Sequence, residues 1–238
     1  MNDSTPLNAL RTGVILVAGG SGQRMGSPIP KQFLTLREGA TILETTLRRF
    51  TDTLPDAEIV VVLPAAETAR WQAICRERPA IPFHRLCTGG ATRFESVRNG
   101  LAALGPCDLI AVHDGVRPLV SSALIRTCIA TAAAHGSAIP AVRPADSFRT
   151  VDASGNRIID RDTLRAIQTP QIFRADLLRA AYRQPGRPSF TDDASVVEAA
   201  GTPVTLCEGE KYNIKITTPE DLALARLLVE AGLVQTQN

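Results

Sequence analysis

Residues 14–33 read VILVAGGSGQRMGSPIPKQF, an apolar run that breaks into four glycines and then sets Arg24 and Lys31 on either side of Pro28 and Pro30. Glycine directly after a buried strand lets the backbone turn sharply and bring its N–H groups close to an anion. Arg24 and Lys31 add charge that phosphate oxygens accept. The stretch therefore reads as a strand followed by a phosphate loop, the opening of an α/β sheet. Two familiar loops are excluded by spacing. There is no Gly-Lys-Ser/Thr for a Walker A loop, and after Gly20-x-Gly22 the next glycine, Gly26, falls one residue later than the dinucleotide fingerprint requires. A glycine-rich connector with solvated charges remains an open alternative from this segment alone.

Outward from that stretch, β-rich runs alternate with helical patterns. EIVVVLP (58–64), LIAVHD (109–114), SAIPAV (137–142) and TPVTLCE (202–208) read as strands. ILETTLRRF (42–50), ETARWQAICRER (67–78), TRFESVRNGLAAL (92–104) and SALIRTCIATAAAHG (122–136) carry apolar residues at helical spacing. Thr92 with Glu95, and Thr218-Pro219 with Asp221, mark two helix starts as side-chain caps. The alternation predicts an α/β fold with a Rossmann-like, mostly parallel sheet and helices on both faces.

One segment interrupts it. SFRTVDASGNRIIDRDTLRAIQTPQIF (147–173) has two β-like pieces around the turn signal Ala153-Ser154-Gly155-Asn156 and reads as a projecting β-hairpin. Such an arm cannot bury both faces alone, which predicts packing on a partner subunit. With no internal repeat or low-complexity linker, residues 1–238 are expected to form a single domain with a dimerisation arm at about 143–172.

Composition narrows the function classes. The 238 residues carry 26 Lys and Arg against 24 Asp and Glu, so the net charge of +2 gives no case for a nucleic-acid surface. No apolar run is long enough to cross a bilayer, and the N-terminal residues do not follow a secretory pattern, so the expected location is cytoplasmic. The five cysteines never fall in a C-x-x-C spacing, which argues for reduced thiols over zinc or a disulfide frame.

Other candidates lie where strands end. VHDGVRP (112–118) closes a buried strand, the usual place for ligands in open α/β sheets; Asp114 there can hold magnesium and Arg117 an anion, or the two can simply order the loop. His113 reads as a structural histidine. GGATRFESV (89–97) puts paired glycines before a capped helix, leaving N–H groups free at its positive end, although plain strand-to-helix turn chemistry explains it equally well. In GEKYNIKITTPEDL (209–222), Lys215 lies in an apparent alternating strand, where a lysine needs an anion or a sheet edge. No Ser-His-Asp order and no His/Cys cluster is present. Cations, one magnesium-type aspartate and glycine loops at strand ends point to phosphoryl or nucleotidyl transfer.

AGGSGQRMGSPIPKQF (18–33), GGATRFESVRNGL (89–101), VHDGVRP, QTPQIF (168–173), FTDDASVVE (190–198) and NIKITTPEDLALA (213–225), taken in that order, closely resemble the cytidylyltransferases among the sugar-phosphate nucleotidyltransferases, in particular those of the non-mevalonate isoprenoid pathway. The resemblance spans residues 13–232. It implies transfer from CTP to the sugar-alcohol phosphate 2-C-methyl-D-erythritol 4-phosphate, with Mg²⁺ as cofactor and a homodimer formed through the hairpin arm. Carried over position by position, it implies that Ala18, Gly19, Gly20, Gly22, Gly90, Ser96, Asp114 and Gly115 bind CTP, and that Arg24 and Lys31 bind its phosphates. Asp114 falls at the magnesium ion, and Asp114, Arg117, Ser147, Arg161, Thr169 and Lys215 fall around the acceptor. Arg24, Lys31, Lys215 and Arg161 are the implied catalytic set.

Three positions depart from the family pattern. Gly115-Val116 stands where many members have Ala-Ala, Ser147 stands where threonine is common, and Tyr212 stands where several relatives carry an acidic residue near the metal. Ribitol-5-phosphate cytidylyltransferases also tend to show YNIK here, so that acceptor is the alternative. A non-catalytic nucleotide-binding protein is a further one.

Overall fold

The computed structural model describes residues 10–19, 25–37 and 39–234. The chain opens with β1 (Thr12–Val17), followed by a small antiparallel ribbon, β2 (Thr35–Arg37) and β3 (Ala40–Thr41). It then alternates α1 (Ile42–Thr53), β4 (Glu58–Leu63), α2 (Ala65–Glu77), β5 (Arg85–Thr88), α3 (Arg93–Ala103), β6 (Leu109–Asp114), α4 (Ser122–His135) and β7 (Ser137–Val142). A hairpin, β8 (Phe148–Asp152) and β9 (Gly155–Ile159), precedes β10 (Ala166–Ile167), β11 (Gln171–Arg174), α5 (Ala175–Ala181), α6 (Asp193–Ala199), β12 (Leu206–Glu208) and α7 (Pro219–Glu230).

The main sheet runs β10-β7-β11-β6-β1-β4-β5, with β12 also paired to β7. β1 pairs in parallel with both β4 and β6, and β4 in parallel with β5. The connection from β5 to β6 crosses from one side of β1 to the other. The switch in winding direction therefore falls between β1 and β6, where an open α/β sheet leaves a crevice at its strand ends. Register sets Val17 opposite Asp114 at that point.

Alternation along β1 builds two cores. Val14 and Leu16 pack with Leu47 and Phe50 of α1, Trp71 of α2 and Ile125 of α4. Ile15 and Val17 pack on the opposite face with Val97 and Leu101 of α3, Leu178 of α5 and Val196 of α6. Burial on both faces is why the parallel strands read as unbroken apolar runs. A third cluster joins Leu36, Ile42, Val116 and Ile216 to Leu222, Ala225 and Leu228, seating α7 beside the entrance to α1.

The mostly parallel α/β sheet matches the expectation from sequence, and strands 109–114 and 137–142 fall on the predicted residues. Three details differ. The projecting hairpin covers 148–159 only, because Gln171–Arg174 returns to the main sheet as an antiparallel strand between β6 and β7. Within 202–208, only Leu206–Glu208 finds a partner strand. Lys215 lies in an extended loop with no ladder of its own, since Asn213 and Ile216 spend their backbone and side-chain groups on the neighbouring loops at Arg117, Thr169 and Val116.

Candidate active site

The crevice between β1 and β6 opens into a cleft of about 300 Å³. Val17, Ala18 and Gly19 form its floor, Gly90, Ala91, Thr92, Arg93 and Ser96 one wall, and Lys31, Gln32, Asp114, Val116 and Lys215 the other. Strand ends from β1 and β6, the loop before α3 and the approach to α7 thus meet at one place.

Asp114 ends β6 and is the electrostatic centre. Its Oδ2 lies 3.3 Å from Arg117 Nε and 3.1 Å from Lys215 Nζ, and its Oδ1 is 3.9 Å from Arg93 Nε. Burial alone would raise the carboxyl pKa, but Lys215, Arg93 and Arg117 outweigh it and hold the group well below the usual carboxylate range. Arg117 also donates to the Asn213 carbonyl at 2.7 Å, which ties the β6 end to the loop carrying Lys215.

Behind Asp114, His113 is fully buried and both ring nitrogens are engaged. The Asp114 N–H donates to Thr169 Oγ1 at 3.1 Å, and Oγ1 faces His113 Nδ1, also at 3.1 Å; because the Arg117 carbonyl beyond Nε2 can only accept, in a neutral ring the Thr169 hydroxyl donates to Nδ1. Nε2 then carries the hydrogen donated to the Arg117 carbonyl at 3.1 Å. A neutral imidazole completes this chain without conflict. Burial lowers its pKa to about 4, in agreement with that protonation state.

Lys31 begins a short 3₁₀ turn over Lys31–Phe33, with Pro30 fixing the entry. Its Nζ donates to the Ile216 carbonyl at 3.0 Å although the side chain is buried. The next residue, Gln32, donates to the Ala18 carbonyl at 3.0 Å, holding the glycine loop's first residues in place.

On the opposite wall the Thr92/Glu95 capping box starts α3 as expected. Ser96 Oγ accepts from the Gly90 N–H at 3.1 Å and donates to the Thr92 carbonyl at 2.9 Å, closing the turn. A Cβ on Gly90 would sit 2.3 Å from Glu95 Cβ, so only glycine lets the loop pass the capping side chain. Arg93, on the first turn of α3, is clamped to the fully buried Asp193 at 2.6 Å, and Tyr182 donates to the other Asp193 oxygen at 2.6 Å. Burial works against that guanidinium's charge, but the Asp193 pair prevails and raises its pKa.

The cleft thus gathers Ala18, Gly19, Lys31, Gly90, Ser96, Asp114 and Lys215 from the sequence-derived set, with Arg117 and Thr169 in direct contact with Asp114. Gly115 lies behind the wall: a Cβ there would meet Ala18 Cβ at 3.0 Å and Leu43 Cδ1 at 3.1 Å, so its part is close packing of β6 on β1. Gly20, Gly22 and Arg24 fall outside the described residues. Ser147 and Arg161 do not line the cleft of their own chain; both are exposed, and Arg161 donates to the Ala145 carbonyl at 2.9 Å.

Sequence reasoning assigned no role to Arg93, Gln32 or Asp193. Arg93 and Asp193 each lie inside a string that was singled out, GGATRFESV and FTDDASVVE, but their pairing spans 100 residues and leaves no local trace. Among the described residues no group of three or more His, Cys, Asp or Glu side chains converges as a metal cage. Among the described residues lining the cleft, Asp114 alone offers a carboxylate. That donor set fits a hard cation held by one carboxylate together with substrate phosphates and water, the usual manner of Mg²⁺.

The chain matches the family model IspD, 2-C-methyl-D-erythritol 4-phosphate cytidylyltransferase, over residues 12–231. It is 49% identical over 216 residues to the 2-C-methyl-D-erythritol 4-phosphate cytidylyltransferase of Porphyromonas gingivalis, covering 90% of this chain and 96% of that one. The Bacteroides fragilis enzyme of the same name is 44% identical over 215 residues, covering 90% and 98%. Among solved structures, the Thermus thermophilus enzyme superposes with a TM-score of 0.74 at 35% identity, covering 93% of this chain and all of that one. The 4-diphosphocytidyl-2C-methyl-D-erythritol synthase of Anaerococcus prevotii gives a TM-score of 0.78 at 27% identity, covering 94% and 98%. With a cleft of this charge pattern at the switch point and matches along nearly its full length, the chain belongs to the 2-C-methyl-D-erythritol 4-phosphate cytidylyltransferase family.

Proposed function

We propose that this chain couples CTP and 2-C-methyl-D-erythritol 4-phosphate to give 4-diphosphocytidyl-2-C-methyl-D-erythritol and pyrophosphate. The observation that carries the proposal is the charge arrangement around Asp114, three cationic side chains on one buried carboxylate beside the buried Lys31. A triphosphate meeting a phosphomonoester brings several negative charges together, and a partly dry cationic cleft offsets their repulsion.

CTP is read across the floor and the α3 wall, with Ala18 and Gly19 under its phosphates, Gly90 and Ser96 at the cytosine, and the loop bearing Gly20, Gly22 and Arg24 completing the phosphate site. The acceptor lies over Asp114, Arg117, Thr169 and Lys215. A phosphate oxygen of the acceptor attacks the α-phosphorus of CTP, and the bond from that phosphorus to the pyrophosphate oxygen breaks. The attacking oxygen is already ionised at neutral pH, so no side chain has to act as base. Lys31 and Lys215 stabilise the charge on the five-coordinate phosphorus. Asp114 would hold Mg²⁺, which when bound supplies Lewis-acid neutralisation of the phosphate oxygens.

The finer reading includes a homodimer joined through the hairpin arm, with Ser147 and Arg161 reaching the partner's acceptor. Their absence from the lining of their own cleft and the exposed apolar side chains of β8–β9, Val151 at 80% and Ile158 at 72%, support it. Among the described residues no helix is long and apolar enough to cross a membrane. CTP and the polyol phosphate are charged and do not cross bilayers unaided, which supports a cytoplasmic site of action.

Pyrophosphate release measured with CTP, ATP, GTP and UTP against methylerythritol 4-phosphate and ribitol 5-phosphate tests the reading. Turnover is expected with CTP and methylerythritol phosphate and to be abolished by a chelator. Turnover with ribitol phosphate alone would replace the acceptor, and equal use of ATP and CTP would remove the cytosine role of Gly90 and Ser96.

A further inference from the structure

A second cavity, about 460 Å³, shares no lining residue with the active cleft and falls in the size range of small-molecule sites. It lies between α1, the start of α4, the loop at 210–212 and the end of α7, with Leu119, Leu233 and Val234 on its apolar side. The unusual group is Arg49. Its side chain is only 6% exposed and lines this cavity, yet its single hydrogen bond among the described residues is a long one, Nε to the Pro118 carbonyl at 3.4 Å. Among the described residues neither terminal nitrogen has a hydrogen-bond acceptor, and Arg49 forms no ion pair. Arg93, although less buried at its side chain, is paired with Asp193, whereas a charge without such a partner is costly to bury.

Glu210, on the same cavity wall, does not fill the role. Its two carboxylate oxygens accept from the Ser121 N–H and the Ser121 hydroxyl, which fixes it at the N-terminus of α4. The charge left without an ion-pair partner among the described residues lining the cavity is therefore cationic, Arg49 with Lys211 at the edge. Desolvation lowers the Arg49 pKa and Arg37 lowers it further, while Asp52 and Glu210 offset only part of this.

We propose that this cavity binds a small amphipathic anion, its phosphate or carboxylate head on the Arg49 guanidinium and its short apolar tail against Leu119, Leu233 and Val234. The site is independent of the nucleotide reading and stands whatever the acceptor proves to be.

Hexyl phosphate and hexanoate, with hexanol as the uncharged control, test it by calorimetry on the full-length protein saturated with CTP. At least one of the two anions is expected to bind at millimolar concentration or tighter while hexanol does not; which of them binds identifies the head group. Arg49→Met should weaken binding about 10–100-fold, the loss expected when charge-assisted hydrogen bonds are removed. Since Arg49 is buried, Leu233→Asp serves as the second variant. It sets a repelling carboxylate at an exposed rim position, so binding should fall while the melting temperature and the turnover with CTP stay unchanged. Absence of binding by both anions, equal binding of hexanol, or binding that survives both folded variants would overturn the proposal.

Discussion

Lys31 shows how one residue joins fold and chemistry. The proline before it fixes the turn, its side chain is buried along the wall of the cleft that Val116 also lines, and its ammonium is held at the Ile216 carbonyl. A preorganised cation of this kind acts on the transition state more than on the fold, so Lys31→Ala should lower kcat by ~10²–10³. A circular-dichroism melt should show the variant folded, and a fall of less than about tenfold, well short of that loss, would leave Lys31 without a part in catalysis. His113 carries the opposite kind of prediction, one of stability. Its folded pKa of about 4 lies below the ordinary histidine value. The unfolded chain therefore binds the extra proton in the window between about 4 and about 6.5, and the folded one does not. Stability should accordingly fall as pH drops through that window, by about 3 kcal/mol for this residue. Urea titrations in chelator at a series of pH values check the sign: His113→Gln should be less stable at neutral pH and show a flatter decline from 6.5 to 4.

At the scale of elements, α3 rests on the cap that also shapes the nucleotide wall. Thr92 accepts from the Glu95 N–H at 3.1 Å and Glu95 returns the bond to the Thr92 N–H at 3.1 Å, while Ser96 reaches back to Gly90. Thr92→Ala should cost about 1 kcal/mol in thermal or chemical unfolding and raise the KM for CTP, because the same turn presents Gly90. A loss of stability with unchanged KM would separate the cap from the site. This cap was legible in the sequence because its chemistry is local, and so were the strands at 109–114 and 137–142, whose apolar runs bounded by turn residues identify themselves. What was not legible depends on partners far along the chain. QTPQIF looks like the return limb of a hairpin, yet Gln171–Arg174 inserts antiparallel between β6 and β7, a placement fixed by pairing with Leu109–Val112. NIKIT alternates like a strand, but it pairs with no strand among the described residues. The Arg93–Asp193–Tyr182 chain unites three segments that no periodicity connects. In the site, the cations and Asp114 could be nominated from strand ends, whereas their mutual distances, and the burial of Lys31, required the folded chain.

At the scale of the whole molecule, the open matter is why two implied site residues, Ser147 and Arg161, stand away from the cleft while β8–β9 exposes Val151 and Ile158 to solvent. Among the described residues the hairpin's strands pair only with each other, which is marginal for an isolated element, and pairing its faces with a second copy would account for both facts. On that reading Arg161 binds the acceptor phosphate in the other subunit, beside that subunit's own Lys31 and Lys215. Two inactive variants, Arg161→Ala and Lys31→Ala, test it when unfolded, mixed in equal amounts and refolded. If Arg161 acts across the two-fold axis, each mixed dimer places both lesions at one site and neither at the other. Random pairing then restores about a quarter of all sites. If Arg161 serves its own chain, every site keeps one lesion and no activity returns. Native mass spectrometry of the same sample counts the mixed dimers, so their presence without regained pyrophosphate release would exclude the shared site while leaving the cleft of each chain, and the chemistry assigned to it, intact.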